Sequence, residues 1–469
     1  MKLSNKYPFW FIVSLYSCIW IFSINQFFFW DTVQLASKHA TYFYTQQLKS
    51  FILPTDIDSG HIPAFGYYLA CIWELLGRSL WVSHVAMLPF IVGIFIQSYR
   101  LIRYFIPRTA IYWAFALFLF DPTLMAQSAL VSPDIPLVFF LLLSLNGIIY
   151  QQRKLFILAL CGLVLISMRG ITAAACIGLF DLYYSRQQFQ TYKLKRLADY
   201  APAILIAISY LYFHYRMTGW ILIHADSPWH ESFERVDIKG VLKNIILYIW
   251  RLVDFGRIGI WVIALFIIST QQIKKYLDDK TYLLITLFLI FLLLFPINTL
   301  WAKGLTGHRY YLPIYLIFSL LTLRLLFSLS INDKIMDFLI AGWIAVITAG
   351  CFLVYPSTIA QGWDATPAHF PYYALRKQAL EYLDQKQLAD TTIQSFFPNN
   401  SVRDLIDLDG NSEQYQTFDG NANYVFYSTV FNLSDQDLNL LENKYNVLKK
   451  YKIGQIEVYL LKNKKLICK

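Results

Sequence analysis

Ile24-Asn25-Gln26-Phe27-Phe28-Phe29-Trp30-Asp31 ends an uncharged run that begins at Pro8. The run is long enough to cross a bilayer, which takes about 20 apolar residues, and the residue that closes it is a carboxylate. No small-residue cleavage pattern follows Trp30, so the segment reads as a retained helix rather than a signal peptide. Asp31 then stands at a membrane–water boundary. A second ionisable group follows in Gly60-His61-Ile62-Pro63-Ala64-Phe65-Gly66-Tyr67-Tyr68. A carboxylate at the boundary followed by a long non-spanning loop suggests polar chemistry on a lipid-borne substrate.

The rest of the chain agrees with a polytopic membrane protein. Its 469 residues are 57% hydrophobic and 15% charged, with mean hydropathy +0.45. The net charge of +10 comes from short basic clusters between apolar spans, which fix orientation in a membrane and argue against a nucleic-acid partner. Cys18, Cys71, Cys161, Cys176 and Cys351 lie in apolar segments and Cys468 is next to the end. None has the spacing of a zinc site or redox pair.

Eleven segments are candidate spans: 9–29, 81–103, 109–121, 134–150, 154–169, 170–185, 198–217, 255–271, 281–299, 309–329 and 335–355. Lys2 and Lys6 precede the first. Arg100, Arg103 and Arg108 follow the second, and Arg153 and Lys154 the fourth. Arg186, Lys193, Lys195 and Arg196 follow the sixth, and Lys274, Lys275 and Lys280 the eighth. In an alternating eleven-span topology all of these fall on one side, the cytoplasmic one. The other side then receives 30–80, 121–133, 218–254, 300–308 and everything after Tyr355. This requires 63–77 to lie in the interface as an amphipathic helix, with 36–51 and 240–254 as companions. The expected location is a bacterial inner membrane with the C-terminus outside. Residues 356–469 are polar and read as a small α/β domain, with a helix at Pro371 to Gln387, strands at Tyr424 to Phe431 and Gln455 to Leu461, and a helix capped by Ser434. The preferred reading of this domain is an accessory one without catalytic residues.

On this topology Asp31, His61, Asp134, Arg169, His308 and Arg309 gather on the outer face, where charges near hydrocarbon are costly and therefore candidates for function. Each has an ordinary alternative. Asp31 is a general base or a helix N-cap. Asp134, in Val131-Ser132-Pro133-Asp134, contacts substrate or caps its span. Arg169 and the His308-Arg309-Tyr310-Tyr311 group bind phosphate oxygens or snorkel to headgroups. His61 binds substrate or is structural. Nucleotide-binding, zinc-protease and serine-hydrolase motifs are absent, and no metal cluster or cofactor is expected.

Trp30-Asp31 resembles the motif that opens the first outer loop of family 39 GT-C glycosyltransferases, which include protein O-mannosyltransferases and lipid A aminoarabinose transferases. Gly60 to Gly77 resembles the family's Pro-containing juxtamembrane helix, and Ser132-Pro133-Asp134-Ile135-Pro136-Leu137 its Asp-Pro segment. Ser167-Met168-Arg169-Gly170 stands where members carry a basic residue and Gly. Arg309-Tyr310 with Leu312-Pro313 resembles its Arg-Tyr-x-x-Pro pattern. Thr32 and Ile62 depart from it. The resemblance covers roughly residues 5–330. It implies a GT-C membrane core, a polyprenyl-phosphate sugar as donor, and inverting transfer to a protein, glycolipid or glycan at the outer face. In that scheme Asp31 is the base, Arg169 and Arg309 hold the phosphate, and Asp134 contacts acceptor or sugar. The alternatives are a flippase of lipid-linked sugars and a non-catalytic polyprenyl-phosphate-binding protein.

Overall fold

A computed structural model describes residues 5–189, 194–270, 277–356, 358–386 and 393–466; Lys2, Lys193, Lys274, Lys275 and Cys468 lie outside them. The first apolar run forms the helix Tyr7–Ser23, with Pro8 in its first turn, where the missing N–H costs no hydrogen bond. Helices occupy the other ten apolar segments as well: Leu88–Phe105, Ile111–Leu119, Asp134–Ile149, Arg153–Ile166, Met168–Phe189, Ala201–Thr218, Ile258–Ser269, Asp279–Leu294, Leu312–Leu326 and Asp333–Cys351. Among the described residues four helices are long and apolar enough to cross a membrane singly, or up to six spans if two bent pairs each count as one. Large apolar side chains on several helices face outward, among them Ile204, Leu205, Ile208, Val262, Leu265 and Leu293. Such surfaces suit lipid, and a helix satisfies its own backbone there.

The bends were not expected from the sequence. Arg108–Leu119 turns by 63° into Pro122–Ala129, a buried helix where an outer loop was predicted. Asp121 caps that helix by accepting from the backbone N–H groups of Thr123 and Leu124, and Pro122 begins it. Ile238–Val253 turns by 82° into Ile258–Ser269. The elbow is built on Gly256 at φ +80°, where an added Cβ would lie 2.3 Å from the Val346 carbonyl oxygen. Only glycine fits that backbone and that approach.

The predicted interfacial segments are helical. After Asp31 the chain makes a wide π-helical turn, Val33–Lys38, and continues as His39–Thr45. This helix packs on Ala64–Leu76, which Gly77 ends. Beyond the last long helix lies a mixed sheet of β1 (Ile393–Ser395), β2 (Gln416–Thr417), β3 (Tyr424–Ser428), β4 (Tyr445–Ile453) and β5 (Ile456–Asn463). Its order is β2-β1-β3-β5-β4, parallel on either side of β1 and antiparallel around β5. The helix Pro371–Gln385 packs on β4 and β5, and Ser434 caps Asp435–Lys444 as its sequence predicts.

This sheet domain is tied to the first loop. The Phe28 N–H donates to the Ile406 carbonyl at 2.9 Å, Arg78 pairs with Asp404 at 2.8 Å, and the Phe29 ring stacks on His369. Trp363–Ala365, the turn that leads into the domain, lies on Pro122–Ala129. There Thr123 donates to the Ala365 carbonyl and Gln127 to the Asp364 carbonyl.

Candidate active site

Four of the charges picked out in the sequence meet at helix ends. Asp31 directly follows Trp30, which has positive φ. The next turn is closed by Thr32, whose hydroxyl accepts from the Phe29 N–H and donates to the Phe29 carbonyl. No side chain caps the helix that follows, and the Asp31 carboxylate points to Arg309 instead. Asp134 is the first residue of its helix, but its carboxylate also leaves the backbone: Oδ1 faces Arg169 at 2.6 Å and Oδ2 faces Arg309 at 3.0 Å. The N-cap alternatives for both acids give way to ion pairing.

Arg169 stands in the first turn of Met168–Phe189, just past a break at Ser167, whose hydroxyl accepts from the Gly170 N–H. An added Cβ at Gly170 would lie 1.8 Å from the Leu163 carbonyl oxygen, so glycine is what permits the sharp reversal that aims Arg169. Arg309 comes from the short turn His308–Tyr311 ahead of Leu312–Leu326. It is the centre of the cluster, with each nitrogen committed to a different acid: Nη2 to Asp31, Nη1 to Asp134, and Nε to Asp364 at 2.9 Å. The Tyr310 ring lies 4.9 Å from its guanidinium and 4.7 Å from that of Arg169. A π face so placed stabilises both cations. Asp134 is 2% exposed and Asp31 22%, so Asp31 is on the open side.

His61 lies at the edge of this group, against Phe233, and its Nδ1 has no partner. Burial pushes its pKa down to about 3, with Arg169, His39 and Arg309 adding to the effect. The ring is therefore neutral at physiological pH. His308, expected to share the chemistry of Arg309, is turned away. Its Nε2 meets Asp254 at 2.6 Å and its ring lies on Phe255. Asp254 also accepts from the Tyr355 hydroxyl, and Arg251 lies 3.7 Å away. Beside this anchor Arg257 grips Asp121 through two bonds of 2.8 and 3.0 Å. Both networks brace the 82° elbow.

The sequence reading did not select Asp364 or Tyr310. Tyr310 could be found only as the neighbour of Arg309. Asp364 carried a signal, because Trp363-Asp364 past the last span repeats the Trp30-Asp31 pair past the first. The reading of 356–469 as an accessory domain without catalytic residues did not foresee that the turn beyond Tyr355 delivers a carboxylate to Arg309. Burial raises the Asp364 carboxyl to about 6, against the lowering effect of Arg309 and with help from Asp31 and Asp134. The cluster thus has two guanidinium groups facing three carboxylates. It can bind an anion, hold a proton and receive one. A small cavity of about 10 Å³ lies beside Met168, lined by apolar side chains such as Ile62, Tyr210 and Leu222 together with the Asp58–His214 pair.

No protein-family model matches the sequence, and no curated protein matches it. Two solved structures are similar in fold. The crystal structure of ArnT from Cupriavidus metallidurans bound to undecaprenyl phosphate aligns with a TM-score of 0.55 and 11% identity, over 96% of this chain and 97% of that one. The apo form of the same protein aligns over the same shares with a TM-score of 0.53 and 11% identity. At that identity the likeness concerns the fold and not individual residues. This chain has the fold of ArnT from Cupriavidus metallidurans.

Proposed function

We propose that this chain is a membrane glycosyltransferase that moves a sugar from a polyprenyl phosphate to an acceptor at the outer membrane face, with inversion. The observation that carries the reading is the placement of Arg169 and Arg309 with Asp31 and Asp134 at one end of the helical core. The ArnT-like fold supports it, since that protein was crystallised with undecaprenyl phosphate. The core is residues 1–355, spanning eleven times, and 356–469 is the outer domain. The acceptor is a protein, a lipid A-like lipid or a glycan.

In the reaction Asp31 takes a proton from the acceptor hydroxyl or amine. The nucleophile's electron pair forms the bond to the anomeric carbon, and the bond from that carbon to the phosphate oxygen breaks with its pair on oxygen. Attack opposite the leaving group inverts the centre. Arg169 and Arg309 are aimed at the charge that grows on the phosphate, the kind of preorganised stabilisation that lowers a barrier most. Phosphate leaves readily, so no general acid is required. His61, neutral and with a free Nδ1, is suited to a hydrogen bond with sugar or phosphate.

The test is transfer from labelled polyprenyl-phosphate sugars by the purified protein in liposomes. Label should reach an acceptor with wild type and not with Arg309→Ala. Absence of transfer and of lipid-phosphate binding with every donor would refute the reading.

A further inference from the structure

In the reaction just described, Arg309 must meet a phosphate, yet all three of its nitrogens are taken. Asp134 is the least replaceable partner, since it is buried and bridges both arginines. Asp31 has its own task as base. Asp364 is the third, and it approaches from a different part of the chain. Its backbone is fixed, with the carbonyls of Asp364 and Ala365 accepting from Gln127 at 2.8 Å and from Thr123 at 2.9 Å. Only the side chain is free to swing.

Charge decides the outcome. Three carboxylates already face two guanidinium groups, and a phosphodiester brings one more negative charge. Uncompensated charge in a buried site is costly, so binding must expel a carboxylate from the cluster or protonate one. We propose that Asp364 is a positioning residue that holds Arg309 in the donor-free protein and is replaced on Nε by the donor's phosphodiester, taking up a proton as it leaves. The proposal rests on the lipid-phosphate reading above and adds to it a role for the C-terminal segment.

The groups facing Asp364 are consistent with this exchange. Arg309 and Tyr310 come from the turn 308–311, and Asp31 and Asp134 from the two neighbouring helix starts; His308, on the same turn, is held by Asp254. Thr123 and Gln127, from the helix beneath, are uncharged. On the following turn His369 is buried and lowered to about 4, with Nδ1 on the Thr366 carbonyl, so it stays neutral. His61, lowered to about 3, is neutral too. Asp364, raised to about 6 by burial, is placed to change charge near neutrality.

The sign follows. Below about pH 6 Asp364 is protonated and its hold on Arg309 is weak, so an anion binds well. Above that pH binding must draw a proton from solvent, and affinity falls by up to about tenfold per pH unit. A short-chain polyprenyl methyl phosphodiester is a suitable probe, because it keeps one negative charge throughout. Its Kd should be measured on the full-length protein between about pH 5 and pH 8, for wild type, Asp364→Asn and Arg309→Ala.

Wild type should bind more weakly as pH rises. Asp364→Asn should bind at pH 8 as tightly as wild type does at its best, with a flat profile. A flat wild-type profile would overturn the proposal without any variant. So would an Asp364→Asn protein that binds more weakly at every pH or keeps the wild-type slope. Failure of the wild-type protein to bind the diester, or binding undiminished in Arg309→Ala, would instead refute the lipid-phosphate reading itself.

Discussion

Asp31 is held by one arginine and reachable from one side, which suits a base used once per turnover. Asp31→Asn keeps the shape and removes the proton acceptor. It should lower kcat by about 10²–10⁴-fold, the usual contribution of a general base, while donor Kd changes only a few-fold. Turnover close to wild type would remove Asp31 from the mechanism. Arg309→Lys should also fail to rescue, because an ammonium lacks the planar fork that meets three separate acids; its kcat/KM should fall at least about tenfold. These residues were legible because a charge stands out against an apolar span. Asp364 was passed over, since it lies beyond the last apolar run and its mark is only the Trp-Asp pair that it shares with Asp31. The ion pairs themselves were not legible either: whether Asp31 and Asp134 cap a helix or bridge an arginine depends on what lies opposite, hundreds of residues away.

Helix positions were the most readable part of the chain, because each apolar run produced a helix. Bends were not readable. An apolar run does not reveal that Pro122 redirects one helix by 63° or that the Asp254–Arg257 elbow redirects another by 82°. The elbow's stability comes from a buried pair, Arg257 with Asp121. Breaking such a pair by removing one partner costs ~3–5 kcal/mol, so Asp121→Asn should lower the thermal midpoint clearly in a melt of the detergent-solubilised protein. Gly170→Ala tests the other junction. Its methyl group would press on the Leu163 carbonyl, an overpacking worth ~1–3 kcal/mol, and it should reduce kcat/KM by moving Arg169. A variant with normal activity would show that Arg169 is not aimed by this reversal. Sheet order was likewise beyond the sequence: the alternation of β3 and β5 marks them as strands but not as partners.

For the molecule as a whole, the basic loops predict sidedness. A single cysteine at Arg153 or Lys280 should react with an impermeant maleimide only after the membrane is opened, and one at Asp435 should react in intact cells. Equal labelling of all three would undo the eleven-span topology. The site itself spans the chain, joining the first loop, three helix starts and the turn after Tyr355. All five of its charges stand at or beyond helix ends, none in the middle of a long helix. That placement has an electrical consequence. A charge moved across the whole bilayer feels about 2.3 kcal/mol per 100 mV, whereas charges gathered at one boundary traverse little of that field. The proposed sugar transfer should therefore run at the same rate in liposomes with no voltage imposed, with either polarity, or with an ionophore present; the resting potential of the cell would neither drive the reaction nor hold it back.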